Sequence, residues 1–98
     1  MKYCLWNHQT DEYLSKCDEI KINYKDKDNI INLVEKYPNK NIILNLRYFD
    51  ENIDFNEIRR LNIISKNRLI CAISHIEDAS MYKEAGIKFY YGFPIKNF

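Results

Sequence analysis

Residues 19–24 alternate in character, with Ile20, Ile22 and Tyr24 apolar and Lys21 and Asn23 polar. That period of two predicts a strand. Residues 42–46 and 69–74 are almost continuously apolar, the pattern of parallel strands covered on both faces. Residues 2–6 and the aromatic-rich 88–93 complete a set of five strands. Between them the period becomes helical. In 28–37, Ile30, Leu33, Val34 and Tyr37 share a face, with Asp26 or Asp28 to cap the start and Pro38 to stop the end. Asp54 caps a helix whose stripe is Phe55, Ile58 and Leu61. Residues 76–85 carry Glu77 and Asp78 in their first turn and end at Gly86, where a left-handed residue is wanted. A short helix over 10–17, capped by Thr10, fills the first gap.

The resulting order, βαβαβαβαβ, contains no Asn-Gly or Asp-Gly hairpin pair. It predicts a parallel α/β domain with right-handed crossovers. Five strands are too few to close an eight-stranded barrel, so the expected form is a part-barrel or a small open sheet.

Length and charge narrow the function. Ninety-eight residues, 46% of them hydrophobic, make one domain over 1–98 and exclude a disordered tail. Fifteen basic residues against fourteen acidic leave a net charge of +1, too little for a nucleic-acid partner held by bulk charge. Apolar runs such as 69–73 fall far short of the roughly 20 residues that span a bilayer. The N-terminus turns polar at Asn7 and His8, too early for a secretory leader. Three cysteines without a leader read as reduced thiols of a cytoplasmic protein. Fifteen Ile, twelve Asn and eleven Lys against four Arg point to an AT-rich genome, such as a low-GC bacterium or its phage.

Chemistry is sparse. Ligands of parallel α/β folds sit beyond the carboxyl ends of the strands. Asn23 and Lys25 end the second strand, Asn45 and Arg47 end the third, and His75 follows the fourth. Asn and the base two residues later point to one side. On adjacent strands they would form an amide-and-cation ladder able to hold a phosphate or carboxylate; wet strand ends in an Asn- and Lys-rich chain would look the same.

Cys4-x-x-x-His8 recurs as Cys71-x-x-x-His75. In a strand, residues four apart lie roughly 13 Å from one another, so no zinc set is expected. Two similar units with small buried thiols explain the recurrence. No turn that would form an oxyanion hole stands beside Cys17 or Cys71, and the paired acids Asp11-Glu12, Asp50-Glu51 and Glu77-Asp78 fit helix starts. With Gly only at 86 and 92, no phosphate loop or dinucleotide fingerprint can be written. No catalytic residue, metal or cofactor is expected.

Aromatic residues are in excess. Phe89, Tyr90, Tyr91, Phe93 and Phe98 cluster at the C-terminus, with Phe89, Tyr91 and Phe93 on one strand face and Tyr90 on the other. The chain reaches Phe98 directly after the fifth strand, without the helix that would cover it. Either the sequence is cut from a longer one or this face meets a partner, and exposed aromatics favour protein contacts.

The stretch from Lys83 to Ile95, KEAGIKFYYGFPI, resembles a late βα unit of a (βα)8 barrel. It is similar in outline to the end of bacterial EAL-type cyclic-dinucleotide phosphodiesterase domains. The family pattern is Gly-aromatic-x-x-Pro, whereas here the Pro follows Gly92 by two residues, and that family's acidic metal-binding set is not matched, so its activity is not implied. The wording Gly-Ile-x-Phe-Tyr-x-Gly-x-Pro-Ile also resembles phage proteins of low-GC bacteria. Size and that source suggest a non-catalytic protein-binding or self-associating domain, such as an inhibitor of host defence of the anti-CRISPR type. The alternative is a barrel fragment that binds a phosphorylated or carboxylated ligand at its strand ends.

Overall fold

The structure is a computed structural model that describes residues 3–6, 11–47 and 53–91. Five strands form one sheet: β1 (Tyr3–Leu5), β2 (Glu19–Asn23), β3 (Asn41–Asn45), β4 (Leu69–Ile73) and β5 (Lys88–Tyr91). Every neighbouring pair is parallel, and the spatial order is the chain order, β1-β2-β3-β4-β5. Among the described residues four α-helices connect them: α1 (Asp11–Leu14), α2 (Ile30–Lys36), α3 (Phe55–Ile64) and α4 (Ala79–Glu84). The expected parallel α/β fold is therefore present, as an open sheet.

The sequential order has a strong consequence. Each crossover moves one strand further in the same direction. With a common right hand, each then lays its helix on the same face. A doubly wound sheet reverses direction and places helices on both faces; the strand order here does not reverse. One core cluster joins Leu14 of α1, Leu33 and Val34 of α2, Ile58 and Leu61 of α3, and Tyr82 of α4 to Cys4, Ile20, Ile22, Ile42, Leu44, Leu69, Cys71 and Ile73 of the strands. Those strand residues are the alternate positions of one face, matched in register as Ile20↔Ile42↔Leu69 and Ile22↔Leu44↔Cys71.

The other face carries Tyr3 and Leu5, then Glu19, Lys21 and Asn23, then Ile43 and Asn45, then Ile70 and Ala72, then Lys88 and Tyr90. None of these belongs to the core cluster. The near-continuous apolar character of β3 and β4 had implied cover on both faces. Ile43 and Ala72 are indeed buried on the side to which the described residues bring no helix.

Local signals act mostly as the sequence implies. The Asp54 carboxylate accepts from Asn56 N at 3.0 Å at the start of α3. Gly86 follows α4 at φ +72°, and α2 stops at Lys36 before Pro38. The start of α2 differs. The chain leaves β2 directly into a kinked 3-10 segment, Tyr24–Asn29, and Asn29 precedes α2 in helical geometry without a side-chain cap. Neither Asp26 nor Asp28 is needed as a cap, because the preceding turn already supplies carbonyl partners. Thr10, expected to cap α1, lies outside the described residues.

Among the described residues, no helix is long and apolar enough to cross a membrane. A cavity of about 360 Å³ lined by Asp18, Lys36, Tyr37, Pro38, Asn39 and Lys40 lies where β2 and β3 begin. That is the end of the sheet away from the expected ligand positions.

Candidate functional site

Three of the five expected ligand residues come together. Asn23 and Asn45 are register partners on β2 and β3, so their side chains project side by side from the helix-free face. Asn45 Nδ2 donates to Asn23 Oδ1 at 3.0 Å. Asn45 Oδ1 in turn accepts from Arg47 N at 3.3 Å and from Arg47 Nε at 3.2 Å. The relay runs from amide to amide to guanidinium. It is largely dry, with Asn45 8% and Arg47 5% exposed. Low dielectric strengthens such bonds and holds the planar guanidinium in one orientation.

The structure adds two groups. Burial first, and the Arg47 guanidinium second, push the Lys21 ammonium below its ordinary value. Burial raises the Tyr90 phenol, and Arg47 pulls it back down. Arg47 therefore lies within electrostatic reach of both. Register explains the convergence. Asn45, Ala72 and Tyr90 form one row across β3, β4 and β5, and a tyrosine side chain spans much of the roughly 10 Å between strands two apart. Lys21 stands one pleat before Asn23, on the same side. Two cations and a phenol are thus gathered on a face over which the described residues place no helix.

The remaining expected residues lie elsewhere. Lys25 does not repeat the role of Arg47. The backbone turns into the 3-10 segment at Tyr24, which ends the period of two and leaves Lys25 exposed. His75 precedes a second 3-10 turn, Ile76–Asp78, and its Nδ1 lies 3.5 Å from Glu77 Oε1 with the imidazole half exposed. The aromatic cluster is divided. Phe89 packs against the core, its ring 6.1 Å from that of Tyr82. Tyr90 turns to the ladder. Tyr91, 53% exposed, remains available at the outermost strand. Phe93 and Phe98 lie outside the described residues, as do His8, Tyr48 and Phe49.

The thiols are poor nucleophiles. Cys4, Cys17 and Cys71 are all buried. Burial, with the adjacent Cys4 thiol adding to it and Lys40 opposing, pushes Cys17 up to about 11. Burial alone pushes Cys71 up to about 12. An unfolded thiol titrates near 9.0, so between that value and the folded ones the unfolded chain binds fewer protons. The contribution to stability is present below the unfolded value and is lost as pH rises through the folded values. Unfolding midpoints measured from about pH 8 to about pH 11 should fall steadily, and Cys71→Ala should flatten the slope by the share of one thiol. An unchanged slope in that variant would show that Cys71 is not held dry.

Comparison with protein-family models, curated proteins and solved structures gives no match. The function must therefore be read from the face itself.

Proposed function

We propose that the protein is a non-catalytic binding domain that holds a carboxylate or phosphate group of its ligand on the helix-free face, between Lys21, Arg47 and Tyr90. The observation that carries this reading is the Asn23–Asn45–Arg47 relay, which spends two amides on orienting one buried guanidinium. Packing alone would be met by apolar side chains at lower desolvation cost. Arg47 offers forked donors, Lys21 a point charge and Tyr90 a hydroxyl, a set suited to an oxyanion. Two like charges held close repel. An arriving anion relieves that repulsion and returns the Lys21 ammonium toward its ordinary value.

Inorganic phosphate and acetate are the probes, titrated at constant ionic strength while the melting temperature is read. The expected result is a rise that saturates with concentration. Lys21→Gln and Tyr90→Phe should each weaken the apparent affinity about tenfold or more, the worth of one charge-assisted hydrogen bond. Lys25→Gln and His75→Gln should leave it unchanged. Absence of any shift in the unmutated protein, or an equal shift in the Lys21 variant, would overturn the reading.

A second reading rests on Tyr91, exposed on the outermost strand. It makes β5 the contact for a protein partner or a second copy, since edge strands offer unpaired backbone groups. Light scattering on a sizing column separates the two. A dimer that Tyr91→Lys returns to monomer supports the contact, and a monomer in both forms excludes self-association.

A further inference from the structure

A pair of side chains that plays no part in ligand binding lies on the opposite side of the sheet. Cys4 sits in the middle of β1, and Cys17 follows the turn that ends α1. Cys4 Sγ donates to the Tyr13 carbonyl at 3.5 Å and Cys17 Sγ to the Leu14 carbonyl at 3.2 Å. Those carbonyls belong to consecutive residues of α1, so both sulfurs are anchored on adjacent carbonyls of one short helix. The Cys4 thiol also lies within interaction range of Cys17 and helps to push its thiol up. Both residues are 1% exposed. Cys71 differs: it lies on β4, three strands from β1, and burial alone sets its behaviour.

We infer that Cys4 and Cys17 form a redox-active pair that closes to an intramolecular disulfide, with Cys71 remaining a thiol. The oxidant is a small disulfide of the glutathione type. One protein thiolate attacks a sulfur of the oxidant, whose S–S bond breaks to release one glutathione thiolate and leave a mixed disulfide. The second protein thiolate attacks the protein sulfur of that mixed disulfide and expels the second glutathione thiolate. The two protons lost by Cys4 and Cys17 go to the expelled thiolates. The two electrons lost by the protein sulfurs reduce the oxidant. In a reducing compartment the pair remains a dithiol, and closure marks oxidation.

Access is the controlling step. Helix α1 has four residues, below the length at which a helix holds on its own, and its opening uncovers both sulfurs. Lys40 fastens the far end of this segment, donating to the carbonyls of Cys17 and Ser15. Its ammonium also favours the Cys17 thiolate, against the stronger effect of burial. The closed bond ties β1, the edge strand that carries Tyr3 and Leu5 on the helix-free face, to the end of α1.

The test incubates the folded protein with glutathione disulfide, alkylates what remains and maps the peptides by mass spectrometry. The expected product is a Cys4–Cys17 linkage with one alkylated thiol, Cys71. It forms equally in Cys71→Ser and is lost in both Cys4→Ser and Cys17→Ser. Closure should quicken about tenfold per pH unit on the alkaline side of neutrality, as the thiolate fraction grows. The oxidised form should melt at a higher temperature, because the loop between the two cysteines is closed in the unfolded chain. Three alkylated thiols at equilibrium, a linkage that includes Cys71, or only intermolecular disulfides would each overturn the inference. The peptide map of the unmutated protein decides the matter even where a serine variant fails to fold.

Discussion

Arg68→Ala is expected to lower the unfolding free energy by about 3 kcal/mol, one of the largest losses available to a polar substitution in this chain. Arg68 stands just before β4 and reaches back across the sheet. Its Nη1 donates to the Tyr37 carbonyl at 2.8 Å and the Lys40 carbonyl at 2.6 Å, and its Nη2 to the Val34 carbonyl at 3.0 Å. These are the carbonyls that α2 and the following turn leave without helical partners. A cation there also faces the negative end of the helix. Alanine takes the Arg68 donors from three partly buried acceptors and leaves the Tyr37 carbonyl with Lys40 N at 3.2 Å, and water replaces the lost bonds only in part. A domain of this size holds about 5–15 kcal/mol in total, so the loss is a large fraction of it. Arg68→Lys should recover less than half, since a point charge cannot fork to three carbonyls. Urea unfolding at constant slope checks the result, with exposed Arg59→Ala as the control. An Arg68→Ala midpoint no lower than that of the control would show that the three bonds carry no weight.

Asn45 supports the second large effect, on binding and stability together. Asn45→Ala removes the acceptor for Arg47 and the donor to Asn23 in one step, and should cost about 2–3 kcal/mol together with phosphate and acetate binding. Asn45→Asp separates these losses. A carboxylate still accepts from Arg47, and the Asn23 amide can turn to donate to it. The fold should therefore survive with little loss. The new negative charge pairs with Arg47 and repels the ligand, so the apparent phosphate affinity read from the melting-temperature titration should fall at least tenfold. Should Asn45→Asp bind phosphate as well as the unmutated protein, the guanidinium is not the anion's partner. A fold broken in both variants would make the relay structural, and Lys21→Gln then remains as the independent probe of the face.

Both variants show how unevenly the sequence speaks. Asn45 and Arg47 were legible because their spacing repeats that of Asn23 and Lys25, and because strand ends host ligands. Lys25 failed to join them because the extended backbone stops at Tyr24, and an early turn moves a residue to another side. Lys21 carried no signal of its own: among eleven lysines it becomes distinct only when register sets it near Arg47. Tyr90 was legible as an aromatic at an open strand. Its neighbour across two strands was not. Arg68 was silent, since its three acceptors lie 28 to 34 residues away in sequence. Cys4 and Cys17 were visible as separate thiols, and only the return of α1 against β1 makes them a pair.

The alternation of apolar positions and the punctuation by Asp54, Pro38 and Gly86 determined the elements and their parallel order, because helix and strand periods are properties of the local chain. Which side each helix takes is not local. It follows from the direction in which successive strands are added, and that direction depends on contacts between residues far apart in sequence. Only the tertiary structure decided that the four described helices share one face, and with it which polar residues converge on the other.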